Sequence, residues 1–141
     1  MTIKIAVIGF GNIAKAIITP LLEKNLISPE DVYCLVNSKE SVDIIKKNFK
    51  YDVNIFQADS KESNLIWDCQ VKLLSVKPQH LKEISELDKH KKNENLLVSI
   101  LAGVSLDKLI QKFPNHRCVR VVTNIPTVSY THLTLPTIYS V

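Results

Sequence analysis

Glycine is scarce in this chain, with three among 141 residues, and tryptophan and methionine occur once each. No internal repeat or low-complexity segment is present, which excludes solenoid and linker-like chains. Cysteine is also sparse. The three present, Cys34, Cys69 and Cys118, are far apart, form no Cys-x-x-Cys and have no histidine at ligand spacing. A zinc ribbon or a disulfide framework is thereby excluded, no metal is expected, and buried reduced thiols are the natural reading. The first apolar run, Ile3 to Ile8, is too short to span a bilayer and lacks the basic flank and small-residue cleavage site of a secretory signal. A cytoplasmic location without a membrane partner is expected. Four tyrosines and four phenylalanines are not interleaved with basic residues, so there is no stacking platform for single strands and no nucleic-acid partner is expected. His-Glu-x-x-His, Gly-x-Ser-x-Gly and a phosphate loop ending in Gly-Lys-Ser/Thr are all missing.

What is present is apolar and periodic. Apolar residues make up 45% of the chain, and 18 basic against 14 acidic residues give a net charge of +4. That length and composition suit one buried core and leave little room for a second domain. The run Lys89-His90-Lys91-Lys92 reads as a solvated helix end. Short apolar runs alternate with stretches of helical period, the pattern of a parallel sheet covered by helices on both faces. The strand candidates are Ile3 to Ile8, Val32 to Val36, Val53 to Phe56, Val71 to Val76, Leu96 to Leu101 and Cys118 to Val122. Between them, Ile13, Ile17 and Leu21 share a helix face with Ala14, Ile18 and Leu22, and Leu106, Leu109, Ile110 and Phe113 follow helical spacing. Ser105 suits a helix N-cap and Pro78 a first helical position. Pro20, inside the first helix, is expected to kink it or end it early. The fold class expected is α/β, a doubly wound parallel sheet of the Rossmann type with strand order 3-2-1-4-5-6.

The strongest local signal is Ile8-Gly9-Phe10-Gly11-Asn12-Ile13-Ala14, which follows a strand and opens a helix. Gly9 allows a tight turn out of the strand. Gly11 offers no Cβ to a pyrophosphate approaching the backbone, and small Ala14 lets the helix lie close to the sheet. The free amides and positive dipole end of that helix then face the phosphates. After the second strand, an acid would accept the ribose hydroxyls of NAD and repel the extra phosphate of NADP. The chain has Asn37, Ser38 and Lys39 there, which can donate to that phosphate. NADPH is therefore the cofactor expected and NAD remains possible. Ser38 can equally cap the next helix, and Glu40 can take the acid's place if the loop is one residue longer. Ser75-Val76-Lys77-Pro78, Ala102-Gly103-Val104 and Arg120 to Pro126 also follow predicted strands, at the edge where such sheets bind ligands. Lys77 either holds a ribose or substrate carboxylate or lies in solvent. Asn124 either orients the nicotinamide carboxamide or shapes its own loop, and Gly103 can serve simply as a turn.

Taken in this order, Val76-Lys77-Pro78, Ala102-Gly103-Val104 and Thr123-Asn124-x-Pro126 resemble the pyrroline-5-carboxylate reductase family, with a match running from about Ile3 to Thr127. The chain departs from that family at Ile125 and Val122. The resemblance implies that Ile8 to Ile13 (Ile8, Gly9, Phe10, Gly11, Asn12, Ile13), Asn37 or Ser38, Ser75 to Pro78 and Ile100, Leu101 and Ala102 lie along the cofactor, with Ser60 on the adenine side. It implies hydride transfer from the nicotinamide C4 of NADPH to the C5=N bond of 1-pyrroline-5-carboxylate, giving L-proline, the last step of proline biosynthesis. Positioning would supply most of the acceleration. No acid-base residue is assigned, because His80, His90, His116 and His132 show no catalytic spacing. Two rival readings are another oxidoreductase with the same first domain, deazaflavin-dependent or prephenate-type, and a non-catalytic nucleotide-sensing module.

Residues 1–128 read as the dinucleotide-binding domain, and 129–141 break from every upstream pattern. That stretch reads as an extended tail that resembles translated adapter DNA and is expected to be foreign to the natural protein, the alternative being a natural disordered tail. In the family a helical domain follows, forming a homo-oligomer and much of the substrate pocket. The chain alone is accordingly expected to be inactive.

Overall fold

Burial of alternating side chains on both faces dictates the architecture. The computed structural model describes residues 3–88 and 95–122. The strands are β1 (Ile5–Ile8), β2 (Val32–Val36), β3 (Asn54–Gln57), β4 (Val71–Leu74), β5 (Leu96–Ser99) and β6 (Arg117–Arg120). All pair in parallel in the order β3-β2-β1-β4-β5-β6, the order read from the sequence. The helices are α1 (Asn12–Glu23), α2 (Lys39–Asn48), α3 (Asn64–Trp67), α4 (Leu81–Leu87) and α5 (Leu106–Lys112). Ala14, Ile18 and Leu22 of α1 and Ile45 of α2 pack with Val7, Cys34 and Leu73 on one face. Trp67, Leu81, Leu109 and Phe113 pack with Ala6, Ile8, Leu74 and Leu97 on the other. Such two-sided burial is why the strands read as nearly continuous apolar runs.

Several expected boundaries need correction. The runs drawn to Val76, Leu101 and Val122 stop as strands at Leu74, Ser99 and Arg120. Their apolar ends instead form part of a cleft wall, so hydrophobicity outlasts the hydrogen-bonded ladder. Ile3 lies outside β1 and is 57% exposed, and β3 begins one residue late, at Asn54. Ile13 and Ile110 are also exposed, so they do not join the packed helix faces. Pro20 does not end α1 early. The helix runs on to Glu23, and Lys24 N donates to Pro20 O at 3.0 Å. The missing amide is one bond in a helix held mainly by its buried face. Ser105 caps α5 by accepting from Lys108 N at 3.2 Å, and Pro78 opens a short 3-10 turn, Pro78–His80, before α4. The run at 89–92 lies outside the described residues.

Cys34 and Cys69 are buried, Cys118 is partly so, and all three are free thiols. Burial pushes Cys34 up to about 12 and Cys69 up to about 11, so neither is a nucleophile near neutrality.

The amino edge of the sheet holds a polar cluster that sequence patterning missed. Lys72, fully buried within β4, donates from Nζ to the Cys69 carbonyl at 3.0 Å. His116 sits edge-on to Phe113 and Trp67, with Nδ1 3.5 Å from Asp88 Oδ2. Burial first, and the Lys72 ammonium second, hold the His116 pKa below 6.5 against the opposing pull of Asp88. The unfolded chain therefore takes up a proton near pH 6.5 that the folded ring refuses. Stability is fully present above that pH and is lost as pH falls toward the folded pKa. Urea unfolding from about pH 7.5 to 5 should show this decline, and His116→Asn should flatten it; an unchanged slope would contradict the assignment.

Candidate functional site

At the carboxyl edge of the strands, three connecting clefts of about 530, 390 and 340 Å³ form one trough. Gly11 is shared by the first and third, Val76 and Lys77 by the first and second, and Gly9, Asn37 and Ser41 by the second and third. This is the switch-point position at which open parallel sheets bind ligands: β1 pairs with both β2 and β4, and the crossovers diverge there.

The β1–α1 turn makes the trough floor. Gly9 has φ +85°, and its amide donates to Leu35 O at 2.8 Å. Phe10 borders the third cleft. Its ring is buried edge-on against Phe49 at 5.0 Å, which anchors the loop. Gly11 is the N-cap of α1, which has no side-chain cap and no acid in its first turn. The first capping-turn bond runs from Lys15 N to Gly11 O at 3.0 Å, leaving the amides of Asn12, Ile13 and Ala14 ahead of the helical ladder. Ser38 and Ser105, by contrast, cap α2 and α5. An uncapped helix start free of carboxylates, beside a glycine whose Cβ direction meets nothing within 4 Å, fits a diphosphate.

Thirteen of the sequence-derived candidates border the trough: Gly9, Phe10, Gly11, Asn12, Ile13, Asn37, Ser75, Val76, Lys77, Pro78, Ile100, Leu101 and Ala102. Ile8 is fully buried beneath it. Ser38, Lys39 and Ser60 are not among the residues lining these clefts. Ser38 accepts from Ser41 N at 3.2 Å and donates to Ser41 Oγ at 3.1 Å, so its hydroxyl serves the helix cap. Ser60 donates to Gln57 O at 2.7 Å, and Ala58 borders the second cleft in its stead. Asn124 lies outside the described residues.

Sequence reading missed Ser41, Lys15 and His80. Ser41 sits at the third helical position after its cap, so the Ser38-x-x-Ser41 spacing was the available signal. Lys15 lines the third cleft, with Nζ 5.8 Å from the centroid of the Phe10 ring. His80 lines the second cleft, 3.8 Å from Glu83, the sole carboxylate among the described residues bordering the three clefts.

The fold and trough match the class of NAD(P)-dependent oxidoreductase domains. Residues 4–103 match the family described as NADP oxidoreductase, coenzyme F420-dependent, and the chain belongs to that family. Among curated relatives, the pyrroline-5-carboxylate reductase of Synechocystis is 32% identical over 126 residues, 89% of this chain and 45% of the relative. That of Haemophilus influenzae is 32% identical over 126 residues, 88% and 44% of the respective lengths. A solved pyrroline-5-carboxylate reductase from Coxiella burnetii superposes with a TM-score of 0.70 at 24% identity, covering 89% of this chain and 46% of that one. A pyrroline carboxylate reductase from Plasmodium falciparum with NADP bound gives 0.63 at 23%, covering 86% and 42%. These two likenesses concern the fold. The chain spans about 45% of the length of the first of these curated relatives. No helix among the described residues is long and apolar enough to cross a membrane.

Proposed function

We propose that this chain binds NADPH along the trough and is the cofactor-binding part of an enzyme that reduces 1-pyrroline-5-carboxylate to L-proline. The observation carrying the reading is the uncapped, acid-free start of α1 opening on the trough, joined to relatives named pyrroline-5-carboxylate reductase. When bound, the dinucleotide supplies the hydride. Within the chain, the α1 amides hold the diphosphate, the Ser75–Pro78 and Ile100–Ala102 segments wall the nicotinamide half, and their apolar side chains exclude water. Residues 1–128 form this domain, residues 129–141 are a foreign tail, and a further helical domain completes the substrate pocket and a homo-oligomer. The test is NADPH oxidation with 1-pyrroline-5-carboxylate, by the 141-residue chain and by a protein carrying a downstream domain like that of its relatives. Binding without turnover by the first and turnover by the second is expected; turnover by the 141-residue chain would overturn the division of labour.

The family description favours a second reading, hydride exchange between NADP and a deazaflavin. Substituting that cofactor for the pyrroline in the same assay separates the two.

NADPH is favoured over NADH because Asn37, and no acid, follows β2 at the trough, with Ser41 and Lys15 beside it. Asn37→Asp should weaken NADPH binding about tenfold or more, ~1.4 kcal/mol, and leave NADH within roughly threefold. Ser38→Ala should instead cost about 1 kcal/mol of stability, a few degrees in Tm, with little change in affinity. Calorimetric titration and thermal melts distinguish these outcomes.

A further inference from the structure

Lys15 of α1 lines the third cleft together with Asn37 and Ser41, and among the described residues bordering that cleft it is the only charged one. Lys77 lines the first and second clefts instead. Lys39, the cation that the sequence offers after β2, lines none of the three. Among the described residues no carboxylate forms an ion pair with Lys15. Its ammonium stands 5.8 Å from the centroid of the Phe10 ring, which is itself held edge-on by Phe49 at 5.0 Å. A ring face attracts the charge without using an oxygen acceptor, so the ammonium is kept at the cleft with N–H groups left for an anion. The Ser41 hydroxyl oxygen accepts from Ser38 Oγ at 3.1 Å, which leaves its own O–H to donate. An ammonium, a hydroxyl and the Asn37 amide, with no acid beside them, suit a phosphate monoester, which carries close to two negative charges at neutral pH.

Two kinds of phosphate are available in NADPH, and the clefts separate them. The diphosphate is assigned above to the first amides of α1, and Asn12 and Ile13 line the first cleft and not the third. The third cleft adjoins the end of β2 through Val36 and Asn37, where folds of this kind place the adenine ribose. We infer that Lys15 is the residue that selects NADPH over NADH, its ammonium holding the 2′-phosphate of the adenine ribose from the α1 side while Asn37 and Ser41 donate from the α2 side. This rests on the dinucleotide reading of the trough. The selecting charge thus comes from the helix that also receives the diphosphate, and not from the loop after β2. Contact with the Phe10 ring holds a long, flexible side chain near its bound position, which lowers the ordering cost of binding.

Calorimetric titration of NADPH and of NADH into the 141-residue chain, and into its Lys15→Gln and Lys15→Arg variants, tests the assignment. Glutamine has nearly the helix propensity of lysine, so a thermal melt of Lys15→Gln should match that of the parent within about 2 °C. The parent chain should bind NADPH more tightly than NADH. Lys15→Gln should weaken NADPH binding about tenfold and leave NADH within about twofold, whereas Lys15→Arg, which keeps the charge, should hold NADPH within about threefold. The two dinucleotides share the base, both riboses and the diphosphate, so a change in the shape of the cleft would weaken both alike. Equal losses for NADPH and NADH in Lys15→Gln would mean that Lys15 serves the diphosphate or the fold, and would overturn the inference. Unchanged affinity for both would overturn it too, while leaving the dinucleotide reading intact. Binding of neither dinucleotide by the parent chain would remove that reading itself, and the inference with it.

Discussion

Replacing Gly9 with alanine is expected to lower folding stability by about 3 to 4 kcal/mol and Tm by roughly 10 °C. Two costs add. At φ +85° an L-residue is strained, and its Cβ would stand 2.5 Å from Ser75 O and 2.9 Å from both Ser75 C and Val76 Cγ1. Relief by movement is blocked on both sides: Gly9 N donates to Leu35 O and Ser75 N to Ile8 O, each at 2.8 Å. The contact joins β1, β2 and the segment after β4, so the strain reaches the centre of the sheet. Chemical denaturation of the variant measures the loss. Wild-type stability would mean that the turn tolerates a side chain and that Gly9 is no constraint on the fold.

Gly11→Leu should do the reverse, sparing the fold and abolishing useful binding. Gly11 has φ −87° and ψ −168°, extended backbone open to any residue, and no atom lies within 4 Å of its Cβ direction. The expected stability change is about 1 kcal/mol or less, the cost of a poorer N-cap. The new side chain, however, occupies the trough in front of the α1 amides, and NADPH affinity should fall about 100-fold, ~2.7 kcal/mol. Calorimetric titration alongside a melt separates the effects. Unchanged NADPH affinity in a folded Gly11→Leu protein would show that the dinucleotide does not approach α1.

The two glycines illustrate what was legible in the sequence. A strand followed by Gly-x-Gly-x-x-Ala has few structural solutions, so the turn, the helix start and the strand order followed from local constraints. Strand ends were less legible, because Val76, Leu101 and Val122 are apolar for the sake of the cleft wall and not of the ladder. Ser38 was readable as a phosphate donor or a cap, and only its bonds to Ser41 locate the hydroxyl in the cap. Lys72, Asp88 and His116 come together from distant positions, and no periodicity signals such a meeting. Arg120 belonged to a segment assigned to the sheet edge, whereas the enclosure of its Nε, without a partner among the described residues, is visible only in three dimensions.

The central claim is that the uncapped start of α1 receives the diphosphate of NADPH. Backbone amide spectra recorded while NADPH is titrated into the 141-residue chain test it most directly. Saturable shifts at Asn12, Ile13 and Ala14, together with Asn37 and Ser41, are the expected result. NADPH binding that leaves those amides unmoved, or no binding at all, would contradict it.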